Sequence, residues 1–181
     1  NIGGTYWSMG RYEEALAFYQ KALVIKEEIL DATHPSLASS YGNIGVTYGR
    51  MGRYEEALEY HQKSLAIREE VLEATHPDLA SSYNNIGGTY WRMGRYKEAL
   101  FFHQKSLAIR EEVLEATHPN LASSYGNIGA TLIGLQQYEA AQESLQKALT
   151  IFKENKHPRI ITTYGYMGLL QLKLGNTSKA Q

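Results

Sequence analysis

From Pro35 onward the apolar residues Leu37, Tyr41, Ile44, Tyr48 and Met51 fall at alternating steps of four and three. That spacing keeps one face of a helix apolar and predicts an amphipathic α-helix. Pro35 stands in a first turn, where its missing N–H costs nothing, with Thr33 or His34 as the cap. Gly52 follows the last apolar position and predicts the end of the helix, since glycine takes positive φ without strain. A second helix is predicted over Tyr54 to Ala74. Its inward stripe is Tyr54, Ala57, Leu58, His61, Leu65 and Leu72, and Glu59 and Lys63 sit one turn apart on its polar face. No segment alternates with period two, so no strand is expected. These patterns predict an all-α fold of antiparallel helix hairpins.

The same pattern returns every 42 residues. Gly10-Arg11-Tyr12 recurs as Gly52-Arg53-Tyr54 and Gly94-Arg95-Tyr96, and His34-Pro35 as His76-Pro77 and His118-Pro119. A fourth copy is three residues shorter, with Gln136 in place of the turn glycine, before His157-Pro158 and Gly175 resume the pattern. Units of this length cannot bury an apolar face alone and stack into a solenoid. The expected organisation is one array over residues 1–181, about four and a half repeats: 1–34 (partial), 35–76, 77–118, 119–157 and 158–181 (partial). The chain reads as a slice of a longer array, with Asn176 to Gln181 opening another helix.

Composition narrows the function. A net charge of −1 without a basic block argues against a nucleic-acid partner, whose binding rests on phosphate neutralisation. The absence of cysteine excludes disulfides and fits a reducing compartment, so a cytoplasmic protein is expected. No apolar run is long enough for a membrane span, and no membrane partner is expected.

Small and aromatic residues at fixed offsets (Tyr41, Gly45, Tyr48, Gly52, Tyr54, Ala57) resemble the tetratricopeptide repeat (TPR) signature. Gly45 is expected to let the paired helices approach, with Ala57 opposite. The run Leu65-Ala66-Ile67-Arg68-Glu69-Glu70-Val71-Leu72 leading to His76-Pro77 is similar to the long repeats of kinesin light chains. The resemblance covers the whole chain. It implies a right-handed α-solenoid whose first helices line a concave groove, and a module that binds a protein or peptide partner there, as an adaptor or scaffold.

On that groove face lie Ser39, Gly42, Asn43, Val46, Gly49 and Arg50, then Ser81, Asn84, Asn85, Gly88, Trp91 and Arg92, then Ser123, Gly126, Asn127, Ala130, Ile133 and Gly134. The glycines Gly42, Gly49, Gly126 and Gly134 are expected to keep it open. The two nearly identical central copies differ there as Gly42 to Asn84, Val46 to Gly88 and Gly49 to Trp91, while the packing stripe reads as unchanged. Asn43, Asn85 and Asn127 recur in register. Their amides can grip a peptide backbone, as asparagines at this place do in kinesin light chains, or can fix the stacking of neighbouring helices. Trp7 and Trp91, two copies apart, can anchor a ligand side chain or pack on the adjacent first helix. Arg50 and Arg92 can attract an acidic peptide, or simply sit solvated near a helix C-terminus. Kinesin light chains often carry Lys at the places of Ser39, Ser81 and Ser123, and that departure leaves a preference for acidic cargo unsupported.

Catalysis, cofactors and metals are not expected. His34, His76, His118 and His157 recur once per copy and are spaced along the solenoid, and His61 and His103 lie on the inward stripe, so both sets read as structural. No nucleophile stands with a positioned base, and the glycines form no phosphate loop. An alternative function is a structural or sensor arm of a larger regulatory, NTPase-linked protein; a consensus-type repeat array would look the same. At the ends, Ile2 and Tyr6 are expected to have lost their upstream neighbour, and Leu169, Leu172 and Leu174 to lack the second helix that would cover them, which predicts end-to-end self-association or fraying.

Overall fold

The computed structural model describes residues 2–177, with side chains for 2–175. These residues form nine helices and no strand: α1 Ile2–Ser8, α2 Tyr12–Ile29, α3 Pro35–Arg50, α4 Tyr54–Val71, α5 Pro77–Arg92, α6 Tyr96–Val113, α7 Pro119–Gly134, α8 Tyr138–Glu154 and α9 Ile160–Thr177. Successive helices pack as antiparallel hairpins, and each hairpin stacks on the next.

The hairpin is written in local chemistry. The cap of α3 is His34, whose Nδ1 accepts the Ser36 N–H at 3.1 Å; His76 and His118 cap α5 and α7 through Asp78 and Asn120 in the same way. At the far end Gly52 has φ +77, and the Arg53 N–H reaches back to the Tyr48 carbonyl at 3.0 Å. This closes the helix as a left-handed glycine turn does. Gly10 and Gly94 repeat it, and in the fourth hairpin Gln136 is forced into the same region with φ 60.

The second helix of the Pro35 copy stops at Val71, three residues before Ala74. Leu72 turns extended (φ −112, ψ 151) and packs against the core of the following hairpin, so burial ends the helix where its sequence would allow it to continue. Leu58 packs in that following core as well.

Close helix approach is real, but its partner is not Ala57. A Cβ on Gly45 would lie 2.7 Å from His61 Nδ1, so the imidazole fills the notch; Ala57 lies instead near Gly49, at 3.9 Å. The stripe also changes once between the central copies. Tyr60 packs on Tyr41 and Tyr48, whereas Phe102 takes the same place against Tyr83 and Tyr90.

The ends depart from expectation in two ways. Gly175 lies inside α9, which runs to Thr177; residues 178–181, where a new helix was expected, lie outside the described part. Ile2, Leu169 and Leu172 are exposed as expected, and Tyr6 stacks on Phe18 of its own hairpin at 5.4 Å; Leu174, expected to be uncovered, is half-buried.

Candidate functional site

The first helices α3, α5 and α7 present the face that carries the candidate residues, and a row of small cavities runs along it. One, of about 180 Å³, is lined by Val46, Arg50, His61, Asn84, Asn85 and Arg92. The next, of about 170 Å³, shares Asn84 and Arg92 with it and adds Trp91, His103, Asn127 and Tyr166. The third, of about 280 Å³, shares Asn127 and Tyr166 and adds Ser123, Arg159 and Thr162. A larger hollow of about 790 Å³ lies along α8, lined by the exposed Gln142, Glu143, Gln146 and Lys147, and none of the candidate residues lines it.

The asparagines divide into two kinds. Asn43 is exposed and Asn85 half-buried, and neither amide has a partner among the described residues. Asn127 donates from Nδ2 to Asn84 Oδ1 at 2.9 Å, tying α7 to α5, so that pair fixes the stacking of two copies. Ser39, Ser81 and Ser123 each donate to the carbonyl four residues back (Pro35, Pro77, Pro119) at 3.1–3.2 Å, a local bond that turns them away from the role of a free donor.

The tryptophans also differ. Trp7 lies edge-on to Tyr12 and carries the Arg50 guanidinium over its ring at 5.7 Å, so Arg50 reaches back to the previous copy. For Trp91 the residue in the place of Arg50 is Gly134, which offers no guanidinium and is itself covered by the ring of Tyr96, 2.8 Å from where a Cβ would stand. Trp91 Nε1 is buried with no hydrogen-bond partner among the described residues. Gly126, Ala130 and Ile133 are buried, so the fourth copy contributes less of the face than the sequence suggests, because α9 lies against it.

Sequence reasoning placed His61 and His103 in the core and missed that they also floor the first two cavities. Burial, aided by Arg68 and Arg110, drives each imidazole down to about 4. Both are thus neutral near pH 7, and the charge of this stretch comes from Arg50 and Arg92. Arg159, Thr162 and Tyr166 were missed too; the replacement of the recurrent Asn by Tyr166 was the only signal of a different fourth junction. Among the described residues no group of three metal-ligating side chains forms, and no helix is long and apolar enough to cross a membrane.

No curated protein matches the chain. Among solved structures, a kinesin-light-chain-like protein of Podosopora anserina with nearly identical TPR-like repeats superposes with a TM-score of 0.84 at 22% identity, covering 99% of this chain and 86% of that one. BtubC of P. vanneervenii follows with a TM-score of 0.80 at 23% identity, over 86% of this chain and 62% of that one. A Rap protein complexed with competence and sporulation factor matches with a TM-score of 0.78 at 19% identity; the chain is covered over 99%, but spans 48% of the Rap protein. At these identities the likeness shows the fold. The tetratricopeptide repeat profile matches residues 1–70, 41–112, 78–154 and 121–181 in overlapping register, end to end, and the chain belongs to the tetratricopeptide repeat family.

Proposed function

We propose that the chain is a protein-interaction module whose concave face, built by α3, α5 and α7, takes an extended or short helical peptide segment of a partner protein, in an adaptor or scaffold role. The observation that carries this reading is the unspent polar capacity at the middle of the face. Trp91 Nε1 is buried with no hydrogen-bond partner among the described residues, and Trp91 lines one cavity with Asn84, Arg92 and Asn127. Buried polar groups are normally paired, and one left unpaired beside an open cavity is a group whose bonding a ligand can complete. An indole N–H can only donate, so the group it awaits is an acceptor such as a peptide carbonyl. A Rap protein of the same fold is complexed with competence and sporulation factor, which supports a ligand role for this architecture without naming the ligand here.

Selection from a displayed random peptide library against the 181-residue chain, followed by calorimetry on the selected peptides, tests the proposal. Affinities in the micromolar range are expected for short peptides. Trp91→Phe, which keeps an aromatic ring and deletes the N–H, and Asn85→Ala should each weaken binding several-fold. Selection of no peptide, or peptides indifferent to both substitutions, would reject the assignment.

A further inference from the structure

Two arginines converge on the first turns of α7 without a counter-charge. Arg159, just before α9, donates from Nη1 to Ser123 Oγ at 3.1 Å, and Arg110 on α6 donates from Nη1 to Ser124 Oγ at 2.7 Å and to the Asn120 carbonyl at 3.2 Å. The serines are adjacent, so the guanidinium groups flank one short stretch of backbone. They sense each other: burial first, and then Arg159, lowers the pKa of Arg110. Among the described residues neither arginine forms an ion pair, although Arg11, Arg53 and Arg95 each pair with a glutamate three residues on. The earlier copies lack this pairing of cations, because the position of Arg159 holds Ser36, Asp78 and Asn120 in them.

The cavity beside this pair is the one of about 280 Å³, at the lower edge of the size range of small-ligand pockets and suited to one functional group rather than a whole molecule. Thr162, Thr163 and Tyr166 bring hydroxyl-bearing side chains to it, and none of those side chains has a hydrogen-bond partner among the described residues. A planar guanidinium beside free hydroxyl donors is the donor set that oxyanions take, through charge-assisted bonds.

We propose that the junction of α7 and α9 is an oxyanion site, with Arg159, Thr162 and Tyr166 as its donors, that receives a phosphate or carboxylate group at one end of the concave face. Ser123, whose own proton goes to the Pro119 carbonyl, holds the Arg159 guanidinium in place. The site rests on the peptide reading above only for what carries the anion: a phosphorylated side chain or the C-terminal carboxylate of the partner segment. Arg110 is a positioning residue, held by Ser124 and Asn120, that keeps a second positive charge close by.

The site can be tested without any peptide. The full chain is titrated, at fixed ionic strength, with inorganic phosphate, with N-acetyl-phosphoserine amide and with N-acetylglycine, while NMR follows the Arg159 side-chain N–H and the amides of Ser123 and Thr162. Saturable shifts confined to this junction are expected with phosphate and at least one of the two organic probes. Arg159→Ala should weaken them about tenfold or more, as the loss of a charge-assisted hydrogen bond does. Arg159→Lys should retain part of the binding, and Arg11→Ala, at an exposed arginine of the first copy that pairs with Glu14, should leave it unchanged. Tighter binding of the phosphoserine probe assigns the site to a phosphorylated side chain, and tighter binding of N-acetylglycine to a chain terminus. Shifts that do not saturate, or that persist in Arg159→Ala, would overturn the proposal. Because no peptide enters the assay, failure of the peptide selection would leave this result standing, and the reverse.

Discussion

The α5–α6 and α7–α8 hairpins share a frame and differ in what fills it. In α5–α6 the notch at Gly87 holds His103, the turn is Gly94, and the buried polar position on α6 is Ser106. In α7–α8 the corresponding notch at Gly129 holds Leu145, the turn is Gln136 at φ 60, and Ala148 replaces the serine. The second hairpin is complete with an apolar notch, so the fold does not require the imidazole. A buried polar group that folding does not need is retained at some cost in stability. The solenoid needs the notch to be filled, and either an imidazole or a leucine fills it.

Acid should expose the difference most strongly. His61 and His103 have folded-state values of about 4 against an ordinary 6.5, so the fold favours their neutral form. Well above pH 6.5 neither folded nor unfolded chain binds the proton, and nothing is lost. As pH falls from 6.5 toward 4 the unfolded chain takes up protons that the fold refuses, and stability drops by about 3 kcal/mol per histidine. Urea unfolding of the parent and of the His61→Leu/His103→Leu chain, at about pH 7 and about pH 4.5, measures this. The double variant, which gives both notches the leucine that Leu145 already supplies in the fourth hairpin, should lose much less on acidification. Equal losses in the two proteins would show that other groups set the acid response.

The glycine notches come next. A Cβ on Gly87 would stand 2.7 Å from His103 Nδ1, and one on Gly129 would stand 2.6 Å from Leu145 Cγ, both well inside contact. Gly87→Ala and Gly129→Ala should each destabilise by about 1–3 kcal/mol through overpacking. At Gly88, where nothing lies within 4 Å, the same change should be neutral or slightly stabilising, since alanine favours a helix. Thermal unfolding of the three variants decides it, and a Gly88→Ala loss as large as the others would remove the steric explanation.

The turn should respond in the opposite direction. Gln136 occupies the left-handed region that Gly10, Gly52 and Gly94 occupy without strain. Gln136→Gly should stabilise the chain by about 1 kcal/mol, whereas Gly94→Gln should cost a similar amount. Denaturant midpoints that move the same way for both would contradict this.

How much of the fold and the face was legible depends on how local each signal is. The caps, the turn glycines and the 3–4 spacing act within a few residues, and the helices begin and end close to where those residues put them. The filling of each notch depends on how two helices cross, so the Gly45–His61 contact could not be read from Gly45 and Ala57 alone. Likewise the two roles open to Asn127 could not be told apart in the sequence, because its partner, Asn84, stands one copy back, at a position where the neighbouring copies carry Gly42 and Gly126. Arg159 escaped notice because its meaning comes from Arg110, on a helix of another hairpin.

The smallest expected effect is a pair of hydroxyls. Ser64 Oγ donates to the Ala38 carbonyl at 2.7 Å, tying α4 to α3, whereas Ser106 Oγ, its counterpart one copy on, is buried with no partner among the described residues. Removing a satisfied buried hydroxyl forfeits a hydrogen bond; removing an unsatisfied one relieves a desolvation cost. Ser64→Ala should therefore destabilise by about 1 kcal/mol, and Ser106→Ala should be neutral or stabilising, as Ala148 at the same place in α8 suggests. Paired urea titrations of the two variants read the difference directly. Equal losses would mean that Ser106 finds a bond in solution, and the contrast between the two central hairpins would lose its physical basis.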